Sequence, residues 1–180
     1  LGAATAVHPL VGGWGMIALV IERLVFARRL AMPLVPLGVG VALAMIGLWP
    51  ALVLSFGVDP AVRAAATRIY VTERLPHHLL PRTFADGMIA RHLLAVFVSW
   101  LIAKHLPESA ARRRLHGFAL AALAISLAGY AIAFTEAVNA DVAYGLLKFY
   151  WVRLSDGLAP LALAIGAATI LAEARVLEKL

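Results

Sequence analysis

The chain has 180 residues, of which 63% are hydrophobic and 14% charged, with a formal net charge of +6 and no cysteine. That balance, with a mean hydropathy of +0.90, excludes a water-soluble domain. The missing cysteines exclude disulfides, thiolate nucleophiles and cysteine metal centres. The arginine excess reads as membrane topology rather than nucleic-acid binding, because no aromatic-basic pattern accompanies it.

Residues 1–21, 30–58 and 115–135 contain no Asp, Glu, Lys or Arg. Each is long enough for a helix to cross a hydrocarbon core of about 30 Å, which takes roughly 20 residues. A first span is expected over about residues 4–26, entered through His8-Pro9 and the Gly12-Gly13-Trp14-Gly15 cluster and closed by Glu22, Arg23, Arg28 and Arg29. Glycines of this kind let a neighbouring helix come close or let the chain bend. A second span, about 31–56, carries Pro33 and Pro36 in its first turns and Pro50 as an expected kink. Residues 57–86 form the longest polar connection. Within it, Asp59-Pro60 reads as an N-cap followed by proline at N1, opening a short interfacial helix over 60–73.

Three further spans are expected at about 87–104, 116–136 and 155–173, the first of them interrupted by Arg91 and His92. Between the last two, residues 137–154 read as an interfacial segment ending in Phe149-Tyr150-Trp151, an aromatic belt rather than a platform for sugar rings. The fold class is therefore an all-α polytopic transmembrane helix bundle, a single membrane domain of about five spans with short interfacial helices. No charged n-region precedes the first span, so it is not a signal peptide, and the chain reads as part of a longer polytopic protein.

Basic residues set the expected orientation. Arg28, Arg29, Lys104, Arg112, Arg113, Arg114, Arg175 and Lys179 flank the spans at one face, which is then cytoplasmic. His8, the 57–86 loop and the 137–154 segment share the extracytoplasmic face. Non-helical backbone at that depth is tolerated where it is buried in protein or lines a wet cavity. Pro76 and Pro81 hold the His77-His78 segment by fixing φ.

The candidate anion-binding residues on this face are Arg74, His77, His78, Arg153, Asp156 and His8. Arginine is the usual fork for phosphate or carboxylate, and Asp156 lies three residues from Arg153, on one helix face. The competing readings are snorkelling toward headgroups, ion pairs with Glu73 or Asp156, and histidines satisfied by loop carbonyls and water. No metal is expected, since two histidines are too few ligands and no carboxylate stands at a ligand spacing. The sequence specifies no cofactor and no catalytic residue; Ser155 beside Asp156 lacks a nucleophile-elbow frame.

The strings Ile69-Tyr70-Val71, Glu73-Arg74-Leu75-Pro76-His77-His78-Leu79 and Phe149-Tyr150-Trp151-Val152-Arg153-Leu154-Ser155-Asp156 resemble a bacterial, planctomycete-type family of multi-spanning membrane proteins of unassigned function. The His8-Pro9 and Gly12-Gly13-Trp14 start of span one resembles the same family. The resemblance covers most of the chain. It implies a membrane domain of the bacterial inner membrane that continues on both sides, and it brings no activity.

The general architecture is similar to membrane glycosyltransferases of the GT-C type, which take polyprenyl-phosphate sugar donors at an extracytoplasmic cavity. That similarity implies a lipid-linked sugar phosphate as partner besides the lipid bilayer, and no nucleic acid. Arg74, His77, His78 and Arg153 would hold its phosphate, with Asp156 orienting Arg153. Those enzymes place a catalytic acidic residue in an early outer loop, which this chain does not show. The alternatives are a transporter or channel-like protein with Arg91 and His92 lining a pathway, and a non-catalytic scaffold.

Overall fold

The computed structural model describes residues 2–26, 34–54, 56–106 and 109–177, and every regular element among them is helical. In chain order these are α1 (Gly2–Val7), α2 (Pro9–Ile21), α3 (Leu34–Val53), α4 (Pro60–Ile69), α5 (Pro76–Leu79), α6 (Met88–His105), α7 (Ala110–Phe134), α8 (Ala140–Leu147) and α9 (Arg153–Leu177). Among the described residues, three helices are long and apolar enough to cross a membrane: α6, α7 with the turn Thr135–Ala137 that extends it, and α9 as far as Ala172. Arg28, Arg29, Pro33 and Lys179 lie outside the described residues.

The expected first span, 4–26, is not one straight helix. His8 leaves the helical region at φ −136°, ψ 86°, as a residue before proline is pushed to do. Its imidazole accepts a weak bond from the Val11 amide at 3.4 Å, capping α2. The chain doubles back there, so that Thr5 Oγ1 reaches Met16 Sδ at 3.5 Å. A Cβ at Gly12 would strike the Thr5 backbone, one at Gly2 the Gly40 backbone, and one at Gly47 the Ala6 backbone. Small residues thus let α1 lie between α2 and α3 at closest approach.

α2 runs on into a π-helical turn, Glu22–Phe26, where Glu22 is buried with Arg23 beside it at 3.5 Å. α3 keeps Pro50 inside it but ends one turn later, at Val53, and its longest apolar stretch is Val35–Pro50.

Alanines make the central seam. Ala18 of α2 meets Ala121, Ala122 and Ile125 of α7, with Leu154 of α9 closing the cluster. α6 and α9 run parallel and in register: His92 faces Asp156 near their first turns, and Ile102 presses on Gly166 further along, at the same sequence offset. α6 packs mainly on α9 and touches α7 little. Large apolar side chains such as Ile46, Trp49, Leu94, Phe97 and Leu171 point outward, as they do on a lipid-facing surface.

A second, smaller core caps one end of the bundle. Val71, Leu79 and Leu80 from the 57–86 connection are buried against Ala143, Tyr144 and Leu147 of α8. Each buried leucine or valine here contributes about 1.5–3 kcal/mol. α4 forms as expected, with Asp59 Oδ1 accepting the Ala61 and Val62 amides at 2.7 and 3.3 Å and Pro60 at N1.

Arg68 bonds Asp141 at 2.9 Å, tying α4 to α8. Arg82 forks onto Glu136 at 2.9 and 3.2 Å, and the Tyr144 hydroxyl donates to the same carboxylate at 2.6 Å. Held this way, the Tyr144 phenol keeps its proton above its usual range, chiefly because it donates a hydrogen bond to Glu136.

Candidate functional site

The turn that joins α8 to α9 builds one side of the site. Phe149-Tyr150-Trp151 does not simply face lipid. Trp14 donates its indole N–H to the Phe149 carbonyl at 2.5 Å, and its ring lies 4.5 Å from that of Trp151. Trp151 donates to the Leu146 carbonyl at 2.8 Å and sits over Gly129, where any Cβ would collide with its own Cβ. Tyr150 adopts φ +59° and shares a 2.8 Å hydrogen bond with the Tyr70 hydroxyl. The aromatic run is therefore a clasp between α2, the 57–86 connection and α7.

The clasp delivers the start of α9 to a fixed place. Arg153 opens the helix and is exposed; Asp156, one turn on, is partly buried. No ion pair joins the two. Asp156 instead faces His92 of α6, with Nδ1 and Oδ1 3.9 Å apart. That is too long for a direct hydrogen bond, but close enough for strong attraction when the imidazole is protonated. His92 is buried, and its Nε2 has no hydrogen-bond partner among the described residues. Tyr130 of α7 stands within electrostatic reach of Asp156, its ring edge-on to Phe84 at 6.4 Å.

α5 supplies the histidines. Pro76 occupies its first turn, and buried Leu79 and Leu80 anchor it to the outer core. The two histidines are left toward the other side, His77 exposed and His78 half-buried, their rings 4.1 Å apart. His78 lies within electrostatic reach of both Arg153 and Asp156. Burial, then the neighbouring His77 and Arg153, hold its imidazole below the ordinary histidine range, with Asp156 opposing them. Its uncharged form is thus favoured within reach of the Arg153 guanidinium.

Of the six residues singled out from sequence, the structure thus brings His78, Arg153 and Asp156 within electrostatic reach of one another, with the exposed His77 ring tilted against that of His78. Arg74 is exposed at the end of the π-helical turn Tyr70–Arg74 and makes no ion pair with them. His8 is occupied as the cap of α2. Ser155 is buried and bonded to Ser126 and to the Val152 carbonyl, with no histidine among its partners. Sequence reasoning did not find Tyr130 or the His92–Asp156 pairing, since no local spacing links α6 to α9. The two fork partners Arg82 and Glu136 were likewise unmarked. Among the described residues no cluster of three metal-ligating side chains occurs.

The arrangement can do two things. A guanidinium near the His78 imidazole can hold an anion at the boundary of the bundle. Beneath it, the buried imidazole of His92 faces the Asp156 carboxylate and ties α6 to α9. Compared with family models, curated proteins and solved structures, the chain matches none.

Proposed function

We propose that this chain is part of a multi-pass protein of the bacterial inner membrane that binds a phosphorylated, lipid-borne substrate at its extracytoplasmic face. The substrate class is a polyprenyl-phosphate-linked sugar, as used by GT-C type glycosyltransferases. One observation carries the reading: Arg153 and His78 lie within electrostatic reach of one another and of Asp156, which faces His92 between α6 and α9. Arg153 and His78 are the phosphate contacts, His77 and Arg74 lie on the rim, and Asp156 acts on His92.

The reading also takes α2 with its π turn, and α3, as crossings, which gives five. α2 lies in the same layer as α7, and α3 carries an outward apolar surface. The end bearing Lys104 and Arg112 to Arg114 is cytoplasmic by its basic excess.

The test is binding of a photoreactive polyprenyl-phosphate sugar to the full-length protein. Arg153→Ala should weaken capture about tenfold or more, the usual cost of a lost charge-assisted hydrogen bond. Arg74→Ala should weaken it less. Capture unchanged in the Arg153 variant would end the proposal.

A transport reading is favoured by one separate feature. The two buried residues of α6, His92 and Ser99, are both polar and lie seven apart on one helix face. Flux in proteoliposomes that His92→Ala abolishes, with lipid capture intact, would select it.

A further inference from the structure

A second site lies at the other end of the bundle. Because α6 leans on α9 and away from α7, a cleft opens between α6 and α7 with α9 as its floor. It encloses a cavity of about 510 Å³, within the range of sites that hold small molecules. Its depth is apolar or small: Leu120 and Leu123 on α7, Ala159 and Ala162 on α9. Its mouth is cationic, with Lys104, Arg112 and Arg113 lining it beside the ring of His116. No carboxylate lines it among the described residues.

Two further observations point to a missing anion. Arg112 Nη1 is buried without an acceptor among the described residues, and a buried charged donor left unpaired is costly. Ser99 Oγ, also in the lining, is buried and unpartnered too. The mouth coincides with the first turn of α7, a 25-residue helix whose N-terminal amides favour negative charge; Ser109 caps one of them, accepting from Arg112 N at 3.2 Å. Lys104 stands over the Trp100 ring at 4.0 Å, placing its ammonium at the apolar–polar boundary.

We propose that the α6/α7 cleft is a binding site for one anionic phospholipid of the surrounding leaflet. Its phosphate sits among Arg112, Lys104 and His116, and an acyl chain fills the apolar depth toward Ala159. The cationic mouth selects the headgroup charge. The lateral opening between α6 and α7 admits the chain. This site is independent of the outer-face reading, since it shares neither Arg153 nor His78.

Native mass spectrometry of the full-length protein, titrated with phosphatidylglycerol or with phosphatidylcholine of the same acyl chains, tests it. The wild type should retain one phosphatidylglycerol about tenfold more tightly than phosphatidylcholine, the scale of one charge-assisted contact. Arg112→Gln should bring the two lipids to parity, while Arg91→Gln, at the other end of α6, should leave the preference intact. Ala159→Trp should lower retention of both lipids by filling the floor. Equal retention by the wild type, an undiminished preference in Arg112→Gln, or displacement of the lipid by inorganic phosphate would overturn the proposal.

Discussion

At φ +59°, Tyr150 holds a left-handed backbone conformation that costs an L-residue roughly 1–2 kcal/mol. The Tyr70 hydrogen bond and the flanking Phe149 and Trp151 contacts offset it. Burial, and then the bond to Tyr70, push the Tyr150 phenol up to about 12. The fold thus prefers the neutral phenol. Its contribution is full below pH 10, the ordinary value, and is lost as pH rises through about 12. Spectrophotometric titration of the solubilised protein should show a phenolate phase near pH 12 that disappears in Tyr150→Phe and moves down in Tyr70→Phe. An unshifted phase in Tyr70→Phe would refute the coupling. The aromatic run at 149–151 was legible as a feature of the segment before the last long helix. Its use as an internal clasp was not, because its partners, Trp14, Tyr70 and Gly129, are distant in sequence and ordinary in kind.

Elements whose signals are local were read correctly, and those decided by distant packing were not. Asp59-Pro60 announces α4 because a carboxylate and a ring act within one turn. His8-Pro9 carries the same grammar, but the uninterrupted apolarity of residues 1–21 favoured a single crossing. Whether α1 folds back was settled by Gly2, Gly12 and Gly47, which let three backbones meet. The chain has no cysteine, so a designed pair reports this directly. Thr5→Cys with Met16→Cys should be joined by a short bifunctional thiol reagent, since the two side chains meet at 3.5 Å. In a straight helix the same positions would stand about 16 Å apart and could not be bridged. Absence of the cross-link would restore the single span.

For the molecule as a whole, helix content and membrane character follow from composition, while the number of crossings depends on where helices break. The orientation has its own test. Ala65→Cys in α4 and Ala111→Cys at the start of α7 are both exposed. In intact cells stripped of their outer envelope, an impermeant maleimide should modify the first variant and reach the second only after permeabilisation. The reverse pattern would invert the assignment of faces, and with it the outer-face site. The parallel, in-register pairing of α6 with α9 has a mechanical consequence. Two contacts at one sequence offset, His92 facing Asp156 and Ile102 against Gly166, fix the register of the pair. A slide of one helix along the other would break both together, and the Ser126–Ser155 bond between α7 and α9 sets how far that pair stands from α7, and so the width of the α6/α7 cleft.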